Sequence, residues 1–111
     1  MLKSLGDLTN LMKSAREIQG KVEALRSSLA QTEVEGLGGG GLVRIKGRAD
    51  GVVLSISFDE SLAKSGDRQM LEDLTLAAVN HFQRKLIDVR KEKLSELTGG
   101  LELPPGMDIG L

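Results

Sequence analysis

Residues 32–58 read TEVEGLGGGGLVRIKGRADGVVLSISF. Apolar and polar residues alternate within this stretch, and a period of two is typical of β-strands that bury one face and expose the other. Glycine-containing turns at 38–41 and at Asp50-Gly51 separate the alternating segments, because glycine adopts positive φ at little cost. The stretch predicts a three-stranded antiparallel meander with strands at 32–37, 42–47 and 52–58.

The first turn also predicts which side chains face each other. Pairing of Leu37 with Leu42 across the four glycines gives two cross-strand charge pairs, Glu35 with Arg44 and Glu33 with Lys46. In the third strand the alternation predicts a buried apolar face, made of Val52, Leu54, Ile56 and Phe58. The opposite face of that strand carries Val53, Ser55 and Ser57.

A long helix is predicted before the meander, from near residue 4 or 7 to residue 31. Apolar residues recur there at intervals of three and four, which is the a/d pattern of a helix that pairs with other helices. The pattern does not decide whether this seam packs within the chain or between chains. The α1 seam comprises Leu8, Leu11, Ala15, Ile18, Val22, Leu25 and Leu29, and the residues expected at a helix-pairing or dimer contact are Leu11, Ala15, Ile18, Val22 and Leu25.

A second long helix is predicted after the meander. Asp67 is the expected N-cap, and Gly99-Gly100 is a common stop signal, so the helix runs to about Thr98. The acidic segment at 59–73 is interpreted as a solvated loop followed by the helix N-terminus. The predicted fold class is α+β in the order α-β-β-β-α, with one domain at 1–98 and a Gly/Pro-containing tail at 99–111.

Composition favours a chain that completes its core with a second copy. The 111 residues include no Trp, no Tyr and only two Phe, Phe58 and Phe82, both of which the patterns place inside. Aromatic residues supply the largest burial per side chain, so this core depends on aliphatic residues. No Cys is present, which excludes thiolate chemistry and disulfides. No apolar run approaches the 18 residues of a membrane span, and no secretory signal is expected.

The sequence offers no catalytic, cofactor or metal site. Gly36-x-Gly38-x-x-Gly41 has the letters of the dinucleotide fingerprint, but a strand and not a helix follows it, so a flexible hairpin tip is the better interpretation. His81 is the only His and, without Cys, cannot form a typical zinc site. A helix-surface or half-buried packing role is expected for it. We expect a non-catalytic protein with no small-molecule substrate.

Basic residues on the two helices are the remaining candidates. The net charge is only −1, but residues 84–93 hold five basic and two acidic residues. A local positive field of this kind binds phosphates, and a dimer doubles it. The candidate DNA-binding residues are Lys13, Arg16, Arg84, Arg90, Lys91 and Lys93. The next candidates lie on the sheet, at Arg44, Lys46 and Arg48.

The order and spacing of several short segments resemble the YbaB/EbfC family of bacterial nucleoid-associated proteins over almost the whole chain. These segments are Asn10-Leu11-Met12-Lys13, Gly41-Leu42-Val43, Met70-Leu71-Glu72-Asp73-Leu74, Ala77-Ala78-Val79-Asn80 and Leu103-Pro104-Pro105-Gly106. The His81-Phe82 pair departs from the family pattern, in which small residues are more usual.

The resemblance implies a cytoplasmic homodimer that binds double-stranded DNA through its helices, associates with the nucleoid and affects gene expression. It implies no catalysis, no cofactor and no membrane partner. A second class remains open, a non-catalytic dimeric adaptor that binds another protein through the helical seam or the tail. The near-neutral charge favours that alternative.

Overall fold

The computed structural model describes residues 5–99 of the chain. A long helix, a three-stranded antiparallel sheet and a second long helix follow one another along the chain, which confirms the predicted α-β-β-β-α order. The elements are α1 (Leu5–Gln31), β1 (Glu33–Gly38), a 3₁₀ turn (Gly39–Gly41), β2 (Val43–Arg48), β3 (Val53–Phe58), α2 (Glu60–Lys64) and α3 (Arg68–Thr98). The predicted tail lies outside the described residues, apart from Gly99.

The sheet is an antiparallel meander in the order β1-β2-β3. Leu37 pairs with Arg44 and not with Leu42, so the predicted register was wrong by two residues. The reason is the turn, because Gly39–Gly41 forms a 3₁₀ turn and Leu42 completes it. A shift of two preserves the faces of a strand. The directly opposite residues change accordingly, with Glu35 facing Lys46 and Glu33 facing Arg48. The predicted pair of Glu35 with Arg44 still forms, as a diagonal ion pair at 3.0 Å.

Helix α3 packs directly on the backbone of β1. A Cβ atom at Gly36 would lie 2.6 Å from both the carbonyl oxygen of Ala78 and the Cβ of Phe82. Gly38 is equally constrained by the backbone at Leu74. Both glycines are buried strand residues, so the interpretation of Gly36 and Gly38 as part of a flexible tip was wrong. They are glycine because the helix and the strand approach too closely for a side chain.

The ends of α3 agree with the sequence prediction. The Asp67 carboxylate accepts a hydrogen bond from the Met70 N–H at 3.0 Å, as an N-cap does. Gly99 closes the helix in the left-handed conformation, with φ of 65°. The loop predicted between the sheet and α3 was wrong at 60–64, which form α2. The Asp59 side chain caps this short helix, and Leu62 is buried beneath it.

Helix α1 contributes to the core only through its C-terminal part. Leu25 and Leu29 are buried, whereas Leu8, Leu11 and Ile18 are more than half exposed. The buried core comprises Leu25, Leu29, Val34, Val43, Ile45, Ala49, Leu62, Ala78, Phe82 and Leu86. The N-terminal part of the α1 seam therefore has no cover within residues 5–99.

Candidate nucleic-acid interface

The basic cluster predicted on α3 divides into free and engaged side chains. Arg84 and Lys91 are exposed, and neither makes an ion pair within residues 5–99. They lie seven residues apart, which is about two helical turns, so both project from the same side of α3. Asp88 lies between them on that side and lowers the local positive charge, and the exposed Lys85 adds to it.

Arg90 and Lys93 have contacts of their own. The Arg90 Nε donates a hydrogen bond to the carbonyl oxygen of Ala49 at 2.9 Å, beneath the turn between β2 and β3. The Lys93 Nζ lies 3.9 Å from a carboxylate oxygen of Glu96, and its side chain is only 30% exposed. These two residues are less available to an external phosphate than Arg84 and Lys91.

Lys13 and Arg16 form a second patch on the exposed part of α1. Both side chains are exposed, and no carboxylate among the described residues pairs with either. They lie three residues apart and therefore share one side of the helix. We call Lys13, Arg16, Arg84 and Lys91 the free helical cations.

The two patches of free helical cations are not adjacent within one chain. Helices α1 and α3 run antiparallel: Ala24, Ser28, Lys93 and Leu97 line one groove between them. Lys13 and Arg16 lie on α1 beyond the point that Leu97 reaches. At 1.5 Å per residue, Arg16 is roughly 20 Å along α1 from the level of Lys93. One chain therefore presents two separated positive patches.

The polar face of the sheet has fewer free cations than its sequence suggests. The Arg44 guanidinium donates to the Glu35 carboxylate at 3.0 Å, and the Arg48 guanidinium donates to the Asp50 carboxylate at 2.8 Å. The hydrogen bond from the Arg48 side chain holds the pKa of Asp50 below its usual value. Of the three basic residues on β2, only Lys46 has no ion pair among the described residues.

His81 has a structural contact. Its Nδ1 accepts a hydrogen bond from the Leu37 N–H at 2.8 Å, and the residue is half-buried where α3 packs on β1. This agrees with the packing role expected for it. The individual partner could not be found from the sequence, since Leu37 and His81 are 44 positions apart.

Strand β3 exposes the apolar face that was predicted to be buried. Ile56 pairs with Ile45, and Phe58 pairs with Val43, so these four side chains share one face of the sheet. Ile45 and Val43 are buried, but Ile56 and Phe58 are 50% and 43% exposed. The prediction that Phe58 lies inside is therefore wrong for the single chain, whereas Phe82 is buried as predicted.

The position of α3 explains this exposure. The helix lies over β1 and to a lesser extent over β2, and makes no comparable contact with β3. We call the side chains of Leu54, Ile56 and Phe58 the β3 apolar face. Among residues 5–99, no element covers it.

The part of the chain that the structure describes shows no group of three or more His, Cys, Asp or Glu residues able to hold a metal ion. No described helix is long and apolar enough to cross a membrane.

Comparison with known proteins identifies the family. The sequence profile of the YbaB/EbfC DNA-binding family matches residues 5–101. A "Nucleoid-associated protein" of Rhodopseudomonas palustris (strain TIE-1) is 45% identical over 106 residues, which cover 96% of this chain and 100% of that protein. A protein of the same description from Nitrobacter hamburgensis is 42% identical over the same shares. The chain belongs to the YbaB/EbfC DNA-binding family.

A solved structure supports the fold. The crystal structure of an uncharacterized protein from Helicobacter pylori matches with a TM-score of 0.63, covering 88% of this chain and 100% of that one. The two sequences are only 18% identical, so this likeness concerns the fold alone.

Proposed function

We propose that the protein is a nucleoid-associated homodimer that binds double-stranded DNA in the cytoplasm through its helical basic faces, with little sequence specificity, and thereby affects gene expression. The family and the names of the relatives support DNA and the nucleoid. The structural observation that supports binding through the helices is the exposure of the free helical cations. None of them makes an ion pair within the described chain, so their charged groups are available to phosphates.

Phosphate contact accounts for the expected lack of specificity. Contacts to the DNA backbone position a protein on the duplex but carry no sequence information directly. Lys13, Arg16, Arg84 and Lys91 project from helix surfaces that hold no aromatic side chain for stacking on bases. We therefore expect affinity to come mainly from the release of counterions. Arg90 and Lys93 remain weaker candidates because their groups are already engaged.

The β3 apolar face supports the dimer. An exposed patch of large apolar side chains on a strand at the sheet edge is typical of a surface that another chain covers. A second copy offers the same apolar face, and a two-fold axis would bring the two faces together. The β3 apolar face is a better candidate for the dimer contact than the α1 seam. Leu25 of that seam is buried in the core of its own chain, and Val22 is half-buried.

DNA binding is tested by a titration across salt concentration with several unrelated duplexes. The logarithm of the binding constant should fall linearly with the logarithm of the salt concentration, with a slope of about −0.9 per phosphate contacted. Arg84→Ala with Lys91→Ala, and Lys13→Ala with Arg16→Ala, should weaken binding to all duplexes alike and flatten the slope. The control is Arg68→Ala, an exposed arginine at the start of α3 that pairs with Glu72.

Two results would contradict this mode of binding. Both double variants could bind as tightly as the parent at moderate salt, in which case the free helical cations are not the site and Lys46 is tested next. The Arg68→Ala control could flatten the slope equally, in which case the effect depends on total charge and not on these faces.

The dimer is tested by light scattering at micromolar concentration, which should report about twice the 11.9 kDa chain mass. Ile56→Glu should produce folded monomers, because a charge in an apolar interface costs several kcal/mol and the single chain already tolerates exposure at this position. Ser57→Glu introduces the same charge on the opposite face of β3 and should leave the dimer intact. A parent protein that is monomeric across this range contradicts the proposal.

The second candidate function is a non-catalytic dimeric adaptor that binds another protein. The observation that favours it is the near-neutral total charge together with apolar surface that no described residue covers. Loss of all duplex binding by the parent protein at physiological salt would favour this function over DNA binding.

A further inference from the structure

The N-terminal part of the α1 seam is an apolar helical surface that no described element covers. Leu8, Leu11 and Ile18 are 54%, 68% and 62% exposed, and Ala15 is exposed between them. The seam continues into Leu25 and Leu29, which are buried. Because the seam is buried at one end and exposed at the other, we looked for a segment that could pack on its exposed end.

The position of the end of α3 indicates which segment this is. Leu97 and Glu96 border the same groove as Ala24 and Leu25. Since α3 runs antiparallel to α1, the chain reaches Gly99 at the level where the cover of the α1 seam stops. Gly99 takes the left-handed conformation and ends the helix there. The described chain therefore ends, at Gly99, beside the uncovered part of the seam.

The sequence of residues 100–111, GLELPPGMDIGL, has the pattern that such a cover requires. Apolar residues occupy alternate positions, and Pro105 falls in the same phase; the apolar set is Leu101, Leu103, Met107, Ile109 and Leu111. Prolines at 104 and 105 exclude a helix across this point and favour extended backbone. An extended segment with this alternation presents one continuous apolar face.

Length and charge are compatible with this placement. Twelve extended residues reach up to roughly 40 Å, whereas the α1 seam from Val22 to Leu8 spans about 21 Å. Lys21 and Arg26 flank the seam, and neither has an ion pair among the described residues. The segment carries two carboxylates, Glu102 and Asp108, and no basic residue. Its charge is therefore opposite to that of the residues beside the seam.

We propose that residues 100–111 bind along the exposed α1 seam of their own chain, in the order that brings Leu101 near Val22 and the later residues toward Leu8. A second copy of α1 fits the surface less well. The bare part of the seam is only about two heptads long, which is short for a stable helix pair, and it includes the small side chain of Ala15. A segment joined to the adjacent helix end also has a high effective concentration that a separate chain lacks. The inference does not depend on DNA binding.

The test uses the absence of Cys from the full chain. A nitroxide spin label attached at Asp108→Cys should broaden the amide NMR signals of Leu8 to Ile18 more than tenfold relative to the reduced, diamagnetic label. The amide of Lys46, on the polar face of the sheet, serves as the internal control and should not broaden. Unchanged signals along the α1 seam would overturn the proposal.

A mixed sample separates binding in the same chain from binding in a partner. Spin-labelled chains without ¹⁵N are mixed and equilibrated with ¹⁵N-labelled chains that carry no nitroxide. Binding within one chain predicts no broadening of Leu8 to Ile18 in this sample. Broadening there would show that the segment crosses to a partner, or that the partner's α1 lies against it, and would overturn the proposal.

Two matched variants test the apolar phase of the segment. Ile109→Asp lies in the apolar phase and should abolish most of the broadening in the full chain. Gly110→Asp introduces the same charge one residue later, out of phase, and should retain it. Equal effects of the two substitutions would overturn the proposed face.

Discussion

The Nδ1 of His81 on α3 accepts a hydrogen bond from the backbone N–H of Leu37 on β1, at 2.8 Å. Leu37 lies on an edge strand, and its N–H points away from β2 toward the helix. The contact requires a neutral imidazole protonated at Nε2, because a protonated Nδ1 has no lone pair to accept with. His81 therefore joins α3 to the edge of the sheet, next to the glycines on which the helix rests.

The first prediction concerns this contact. His81→Phe keeps an aromatic ring but leaves the Leu37 N–H without an acceptor, so the free energy of unfolding should fall by about 1–2 kcal/mol. Chemical denaturation measures the change, and Asn80→Ala, an exposed neighbour, is the control, with a change within about 0.5 kcal/mol. Imidazole ¹⁵N shifts of the parent should show the Nε2-protonated form. The opposite tautomer would contradict the contact.

The second prediction concerns the close packing of α3 on β1. Gly36→Ala should destabilise the protein by about 2–3 kcal/mol or more, since the new methyl group would meet the backbone of Ala78 and the Cβ of Phe82. Gly20→Ala is the matched change on exposed α1, where a Cβ meets nothing within 4 Å. It should stabilise the protein by about 0.5–1 kcal/mol through helix propensity. Thermal unfolding of both variants measures these changes, and equal shifts of the melting temperature would refute the packing argument.

The helices and strands were predictable because each depends on local sequence. Period-two alternation marks the strands, and Asp67 and Gly99 mark the ends of α3. The register of the first hairpin was not predictable from strand pattern alone. The register depends on the backbone conformation that Gly39–Gly41 and Leu42 adopt in the turn, and the same glycines are compatible with several types of turn. Helix α2 was missed because five residues are too few for a periodic signal.

The sequence locates the basic cluster on α3 but not the contacts of its individual side chains. Sequence identifies Arg84, Arg90, Lys91 and Lys93 as one basic cluster. Only the fold brings Ala49 to Arg90, across 41 positions, and so separates engaged from free side chains. The exposure of the β3 apolar face could not be predicted from the sequence for a similar reason. Alternation shows that a face is apolar, but not whether the helix that should cover it extends that far.

The third prediction concerns acid. The Arg48 hydrogen bond, aided by the Val52 N–H, lowers the pKa of Asp50 in the folded state from the usual 3.8. A lowered carboxyl pKa contributes stability above the unfolded value, and the contribution is lost as pH falls through the folded value. The parent should therefore lose its stability advantage over Asp50→Asn between about pH 4 and the lower folded pKa.

This pH effect is measured by comparing urea midpoints of parent and variant at pH 6 and pH 3. Arg48→Met should remove most of the same pH-dependent difference, because it takes away the largest cause of the shift. The Arg48→Met, Asp50→Asn double variant should add little to either single change. A difference between parent and Asp50→Asn that stays constant down to pH 3 contradicts the assignment.

The last prediction separates two neighbouring basic residues on α3. Arg90→Ala removes the donor to the buried Ala49 carbonyl, and a hydrogen bond from a charged group to a buried acceptor is worth about 1.5–3 kcal/mol. The free energy of unfolding should fall by that amount. Lys91→Ala removes an exposed charge without a described partner, so its stability should stay within about 0.5 kcal/mol of the parent. If the proposed DNA mode holds, Lys91→Ala should instead weaken duplex binding and reduce the salt slope by up to about 1 for each chain in the complex. Denaturation and DNA titration of the same two preparations give both readouts. Unchanged stability of Arg90→Ala, together with a larger loss of DNA affinity than Lys91→Ala shows, would mean that Arg90 releases Ala49 and turns to the DNA.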